Sequence, residues 1–201
     1  MGSMNTNFCD FLANVRNAYI LGLLAADSYW WSSSLGVSSV EQELQEKFHE
    51  FARALGFSEE RIKVSKSGNH LYVNSRPLLR AYKAALPRIR DLEDRELIRA
   101  YIAGRFDGDG CLNRDLRRDC RIVYGEKAEK EEAFTDRMLL RKIGVMETSI
   151  NYYRTSGTYC LYVFRGVVGV FLEAIAPYSI KLQKLVFMPR RDLIPRSRFE
   201  D

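Results

Sequence analysis

Two nonapeptides decide how this chain folds: ILGLLAADS, Ile20 to Ser28, and IAGRFDGDG, Ile102 to Gly110. Each closes a stretch with helical apolar spacing, residues 11–28 in the first case and about 94–109 in the second. In each, a small residue recurs four positions on: Gly22 then Ala26, and Gly104 then Gly108. Residues i and i+4 share a helix face, so each helix carries a strip where another backbone can approach closely. Glycine inside a helix costs about 1 kcal/mol relative to alanine, which points to a packing use. Two such strips facing each other about a pseudo-twofold axis bring the helix C-termini together, and Asp27 and Asp109 with them.

Outward from these motifs the same order of elements appears twice. In the first half the aromatic stretch Tyr29-Trp30-Trp31 follows the helix. Ser38 and Ser39 then cap a second helix with Val40, Leu44, Phe48, Phe51 and Leu55 on one face, and Gly56 ends it. The segments RIKVSK and HLYVN alternate in period two around Ser67-Gly68-Asn69, which is hairpin chemistry. A helix over about 76–86 stops at Pro87. The second half repeats the plan with a strand around 120–124 and a helix near 127–143 ending at Gly144. Strands at 147–154 and 158–165 and helices at 166–176 and 179–188 complete it. Gly22 and Gly104 lie 82 residues apart, Gly56 and Gly144 88, the drift of a diverged duplication with a loop insertion.

The expected layout is a tail over 1–10, a first half over 11–86, a linker over 87–94, a second half over 95–188 and a basic tail over 189–201. Met1-Gly2-Ser3 ahead of Met4 is consistent with a cloning remnant. Antiparallel strands with helices on one face make the fold class α+β.

Composition narrows the chemistry. Of 201 residues 46% are apolar and 12% aromatic, which argues against disorder. The longest apolar runs are about half of the ~20 residues that a membrane span needs, and no secretory leader is expected. A soluble, cytoplasmic protein is expected. The net charge is only +5, but residues 61–90 hold eight Lys or Arg and no acid, and 181–198 hold six against Asp192 alone. Segregation of this kind marks a polyanion-binding face. Cys9, Cys111, Cys120 and Cys160 form no CxxC, and His49 and His70 are the sole histidines. That leaves no zinc set of plausible spacing and little room for a Ser-His-Asp hydrolase. Carboxylates and a metal are the tools that remain.

Two helix C-termini side by side carry unpaired carbonyls and partial negative charge, and a carboxylate there is on the wrong side of the dipole. The pair repels unless a hard divalent ion such as Mg²⁺ sits between. An ion bridging two carboxylates and a phosphate supports phosphodiester hydrolysis.

The motif pair resembles the LAGLIDADG motif of homing endonucleases in its single-chain, two-motif form. The layout, over roughly residues 15–188, resembles the archaeal intron-encoded members. IAGRFDGDG is the more specific match. The resemblance implies two αββαββα halves joined through the motif helices, with sheets forming a saddle on DNA. It implies a monomer that needs no protein partner and cuts both strands of a long, pseudo-palindromic double-stranded site, leaving short 3′ overhangs. Mg²⁺ or Mn²⁺ would support cleavage, and Ca²⁺ binding alone. By motif position Asp27 and Asp109 would be the catalytic metal ligands, and the carbonyls of Ala26 and Gly108 would add to them. Lys181, in PYSIKLQK, matches the lysine context of the second half, and Arg90 is its expected first-half counterpart. An RNA-binding intron maturase or a non-cleaving DNA-binding protein on the same scaffold is the alternative. Ala25 and Ser28 depart from the pattern, and Arg105 fills a usually apolar position where it would face solvent or phosphate.

With Ile62, Val64, Leu71 and Val73 turned to the core, Arg61, Lys63, Ser65, His70, Tyr72 and Asn74 face outward, where Arg, Lys and Asn suit base edges in the major groove. Lys66 and Arg76 flank them. In the second half Ile150 inward places Ser149, Asn151 and Tyr153 outward, with Arg114, Arg117, Arg121 and Arg154 as further DNA contacts. The 158–165 strand leaves its faces open. Lys184, Arg190, Arg191 and Arg196 suit phosphates. Trp30 and Trp31 read as core or sheet-edge packing.

Overall fold

The computed structural model describes residues 9–112, 120–125 and 130–187, the side chains of 185–187 excepted. The first half runs α1 (Val15–Asp27), β1 (Ser28–Trp31), β2 (Ser34–Ser38), α2 (Gln42–Ala54), β3 (Ile62–Val64), β4 (His70–Asn74) and α3 (Arg76–Ala85). A 3-10 helix, Leu86–Asp91, leads to the second: α4 (Arg95–Asp109), β5 (Gly110–Cys111), β6 (Cys120–Tyr124), α5 (Lys130–Lys142), β7 (Thr148–Tyr153), β8 (Thr158–Val163) and α6 (Arg165–Ile175). A further helix, α7 (Ile180–Phe187), follows α6, where the first half has the 3-10 helix after α3. The two sheets are antiparallel and identically ordered, β1-β2-β4-β3 and β5-β6-β8-β7. The α+β class and the repeated αββαββα plan are therefore as expected.

Local chemistry sets the element ends. Asn14 caps α1 by accepting from the Asn17 amide, Ser75 caps α3 through Leu78, and Asp94 caps α4 through Glu96 and Leu97. Gly56 and Gly144 end α2 and α5 with φ of +86° and +97°. Every residue of α1 from Asn17 to Leu24 is buried, as in a helix enclosed on all sides. The core packs α2 and α3 under the first sheet and α5 and α6 under the second, continuous through α1 and α4. The four cysteines are free thiols, and no helix among the described residues is long and apolar enough to cross a membrane.

Several expectations need correction. The strand SLGVS, Ser34–Ser38, is not among the expected elements, although Leu35 and Val37 alternate between small residues and are buried. Ser38 ends that strand, and Glu41 rather than a serine occupies the N-cap of α2. Val40 precedes the helix and is 82% exposed. Val64 has the expected parity, opposite Leu71, yet is 57% exposed because β3 is the outermost strand and the core ends before it. Trp30 and Trp31 lie on the other outermost strand, exposed at the sheet edge and outside the core.

Candidate functional site

The glycine strips do what their spacing implies. A Cβ on Gly22 would meet the Tyr101 carbonyl at 1.9 Å and the Arg105 amide at 3.0 Å. A Cβ on Gly104 would meet the Tyr19 carbonyl at 2.0 Å and the Leu23 amide at 2.7 Å. Tyr19, Gly22 and Leu23 lie 82 residues before Tyr101, Gly104 and Arg105, so the two contacts are one contact repeated by a twofold operation. Ala26 and Gly108, also 82 apart, meet each other, a Cβ on Gly108 lying 2.3 Å from that of Ala26. They mark the axis. The next residues, Asp27 and Asp109, end the two helices on either side of it.

Electrostatics at this point are unequal. Burial raises the Asp27 carboxyl above the ordinary aspartate range; Lys181 and Arg105 pull it back and Glu41 pushes it up. The Lys181 ammonium donates to the carbonyls of Phe106 (3.4 Å), Gly108 (3.3 Å) and Gly110 (3.0 Å), capping the C-terminal end of α4. It is brought there by Asp107, which accepts from the Ser179 hydroxyl (2.5 Å) and from the amides of Ile180 (2.7 Å) and Lys181 (3.2 Å). The Tyr19 hydroxyl of α1 donates to the same carboxylate at 2.8 Å. Burial raises the Asp107 pKa while these donors favour its charged form. The first half has Ala25 at this motif position and so has nothing to dock an α7.

Arg90 lies elsewhere. It lines a cavity of about 230 Å³ with Tyr101, Glu131, Glu132 and residues of the 3-10 helix, and Tyr101 stands two turns of α4 before Asp109. The structure does not bring Arg90 to the paired aspartates. Arg105 faces neither solvent nor phosphate: it is 0% exposed and pairs with Asp136 (3.2 Å) and Glu132 (3.1 Å), its guanidinium over the Tyr124 ring.

The open faces follow from strand register. On the first sheet Tyr29, Gly36, Tyr72 and Lys63 stand in one row, Trp31, Ser34 and Asn74 in the next, and His70 opposite Ser38. Tyr29 stacks on His70 at 4.6 Å, and the Ser34 hydroxyl donates to Asn74 at 2.6 Å. Ser65 is spent on the turn, accepting from the His70 amide, and Lys66 is exposed beside it. Arg61 is not on the strand: it ends a 3-10 turn with its guanidinium over Phe57. Arg76 is exposed at the first position of α3.

On the second sheet Arg121, Tyr162 and Ser149 share a row, Asn151 lies opposite Cys160, and Tyr153 opposite Thr158. The register resolves β8: Leu161 and Val163 turn inward, Tyr162 outward, where its hydroxyl meets Tyr153 at 2.5 Å. Arg154 is exposed beyond β7. Lys184, expected on a phosphate, instead pairs with Glu43 at 2.9 Å and lies 3.8 Å from Glu41, tying α7 to the start of α2. Arg114, Arg117, Arg190, Arg191 and Arg196 lie outside the described residues. Tyr29, Trp31, Tyr162 and the Asp107–Ser179 contact escape the sequence reading; each needs a register or a docking partner that no local pattern contains.

Two pseudo-symmetric α+β halves, joined through small-residue motif helices that end in paired acids, define a class. Among solved structures the chain is similar to I-DmoI in complex with DNA and Ca: 19% identity, 89% of this chain and 100% of that one, TM-score 0.69. I-DmoI in complex with DNA and Mn gives 21%, 81%, 97% and 0.64. Full-length DUF199/WhiA from Thermatoga maritima gives 18%, 96%, 66% and 0.61. I-DmoI is a homing endonuclease, and the N-terminal domain of DUF199/WhiA is a LAGLIDADG domain. The fold of this chain is the LAGLIDADG fold. Among curated proteins, a component of the A-type ATP synthase of Methanopyrus kandleri is 34% identical over 131 residues, which are 63% of this chain but 13% of that protein. No protein-family model matches the chain.

Proposed function

We propose that this protein is a site-specific double-strand DNA endonuclease of the intron-homing kind, acting as a monomer inside the cell and using Mg²⁺ or Mn²⁺. The observation that carries this reading is the pair Asp27 and Asp109 on either side of the local twofold axis, in a molecule whose two sheets turn Lys63 and Arg121 to their open faces. The donor set fits the ion. Among the described residues there is no cluster of three His, Cys, Asp or Glu. Mg²⁺ is commonly held by one or two carboxylates with water and substrate phosphate, rather than by an all-protein cage. Asp27 and Asp109 would hold it, with the Ala26 carbonyl beside them; bound there, it supplies charge stabilisation at the scissile phosphate. Asp27 is half-desolvated, which strengthens its attraction for a cation. Lys181, fixed by three carbonyls, holds positive charge at the end of α4, where a phosphate oxygen would gain negative charge. Lys63, Tyr72, Asn74, Arg121, Ser149, Asn151 and Tyr153 would face the duplex grooves.

One observation favours a second reading. The Gly108 carbonyl, an expected ligand, already accepts from Lys181. A non-cleaving DNA-binding protein or an RNA-binding maturase on the same scaffold would tolerate that. The two readings separate in one experiment: a plasmid library of candidate insertion sites is incubated with protein and Mg²⁺, and cut ends are sequenced. Asp27→Asn or Asp109→Asn is expected to abolish double-strand cleavage and leave DNA affinity in Ca²⁺ within a few-fold. Cleavage that persists in both variants would remove the acidic centre from the mechanism, and binding without any cutting by the wild type would favour the second reading.

A further inference from the structure

Trp31 is 74% exposed although it belongs to a strand, and β1 turns both its outward side chains, Tyr29 and Trp31, to the open face of the first sheet. Trp30, on the opposite side, is engaged by the Lys83 ammonium 4.8 Å above its ring. The hairpin turn at Ser32–Ser33 holds Ser32 at φ +54°, and pairing with Ser34 fixes the Trp31 backbone as the last residue of the outermost strand. Gly36, in the row between Tyr29 and Tyr72, presents no side chain there, and the two rings approach to 5.1 Å. An exposed aromatic surface thus lies on a face whose hairpin edge carries Lys63 and Lys66, in a stretch of eight cations and no acids. The charge complements a polyanion. The rings complement something apolar within it.

Resting on the DNA-binding reading above, we propose that Trp31 and Tyr29 select thymine on the first-half side of the target by packing on its C5-methyl group. In the major groove of an intact duplex the base edges offer donors and acceptors, and the thymine methyl is the apolar group among them. Trp31 lies four residues beyond Asp27 along an extended strand, about 13 Å at 3.3 Å per residue, or about four base pairs. The preference therefore falls three to five base pairs from the centre of the site. Among the described residues the second half lacks the device. Tyr29 corresponds to Cys111 there, and the neighbouring outward residue is Arg121.

The test selects duplexes for binding from a random-sequence library in Ca²⁺, with wild type and Trp31→Ala in parallel. Wild type is expected to enrich thymine three to five base pairs to one side of the site centre, and Trp31→Ala to lose that enrichment. Replacing those thymines by deoxyuridine, which removes only the methyl, lowers wild-type affinity about fourfold per methyl contacted. Trp31→Ala shows no such loss, and Trp31→Phe keeps most of it. Circular dichroism on each variant confirms the fold. In a Trp30→Phe background the emission of Trp31, the one tryptophan left of two, shifts to the blue when the selected duplex binds. A consensus without one-sided thymine, or an equal deoxyuridine penalty in wild type and Trp31→Ala, overturns the proposal. Failure to select any duplex overturns the DNA-binding reading and this one with it. Selected duplexes that show the methyl effect but are never cut in Mg²⁺ overturn cleavage alone.

Discussion

Arg105 shows how much one residue's meaning depends on its surroundings. Its guanidinium is wholly buried with Asp136, Glu132, Tyr124 and Tyr101 around it, and the acids and phenols hold its charge in place. Such a group contributes little net stability as a set, but removing one member leaves unpaired charge in the core. Arg105→Met is expected to cost about 3–5 kcal/mol in urea unfolding, a large share of a total near 5–15 kcal/mol. The double variant Arg105→Met/Asp136→Leu should recover part of that loss. Nothing local distinguishes this arginine from a phosphate ligand. It follows a glycine in a motif that ends in acids, and only the α5 residues 27 and 31 positions on, Glu132 and Asp136, disclose its partners.

At the scale of elements, α7 is the feature that makes the halves unequal. Asp107 docks it, Ser179 caps it by accepting from the Leu182 amide, and the docking places Lys181 on the end of α4. Ser179→Ala removes a cap and one bond to a buried carboxylate, so a loss of about 1–2 kcal/mol is expected in chemical denaturation. If α7 docks independently of that cap, the variant will unfold at the wild-type midpoint. The strands teach a complementary lesson. Alternation in HLYVN predicts the faces of β4 correctly, with Leu71 and Val73 inward. The same argument assigns Val64 to the core, where strand order leaves it at an exposed edge, and misses β2, which the turn and cap residues around it obscure.

For the whole molecule, the charge pattern has a measurable consequence. Lys63, Lys66, Arg121 and Arg154 are exposed on or beside the open-face strands, whereas Arg61, Lys83 and Arg88 are engaged by Phe57, Trp30 and Asp10. About four phosphate contacts correspond to a slope of about −3.6 in log K against log salt concentration, at about −0.9 per contact. A titration between about 50 and 200 mM salt giving a slope shallower than about −2 would remove the open faces as the principal binding surface. The sequence alone determined the motif helices, the duplication, the position of both terminal aspartates and the segregation of cations from acids along the chain. Those are matters of spacing and composition, which a linear pattern carries. Tertiary structure decided which cations remain exposed, that Arg90 lies beside Tyr101 and Glu132 rather than at the acidic centre, and that Lys181 is held by Gly108 and Gly110. A side chain's role depends on the partner that meets it, and these partners come from elements tens of residues away, brought close only when α1 and α4 pack through their glycines.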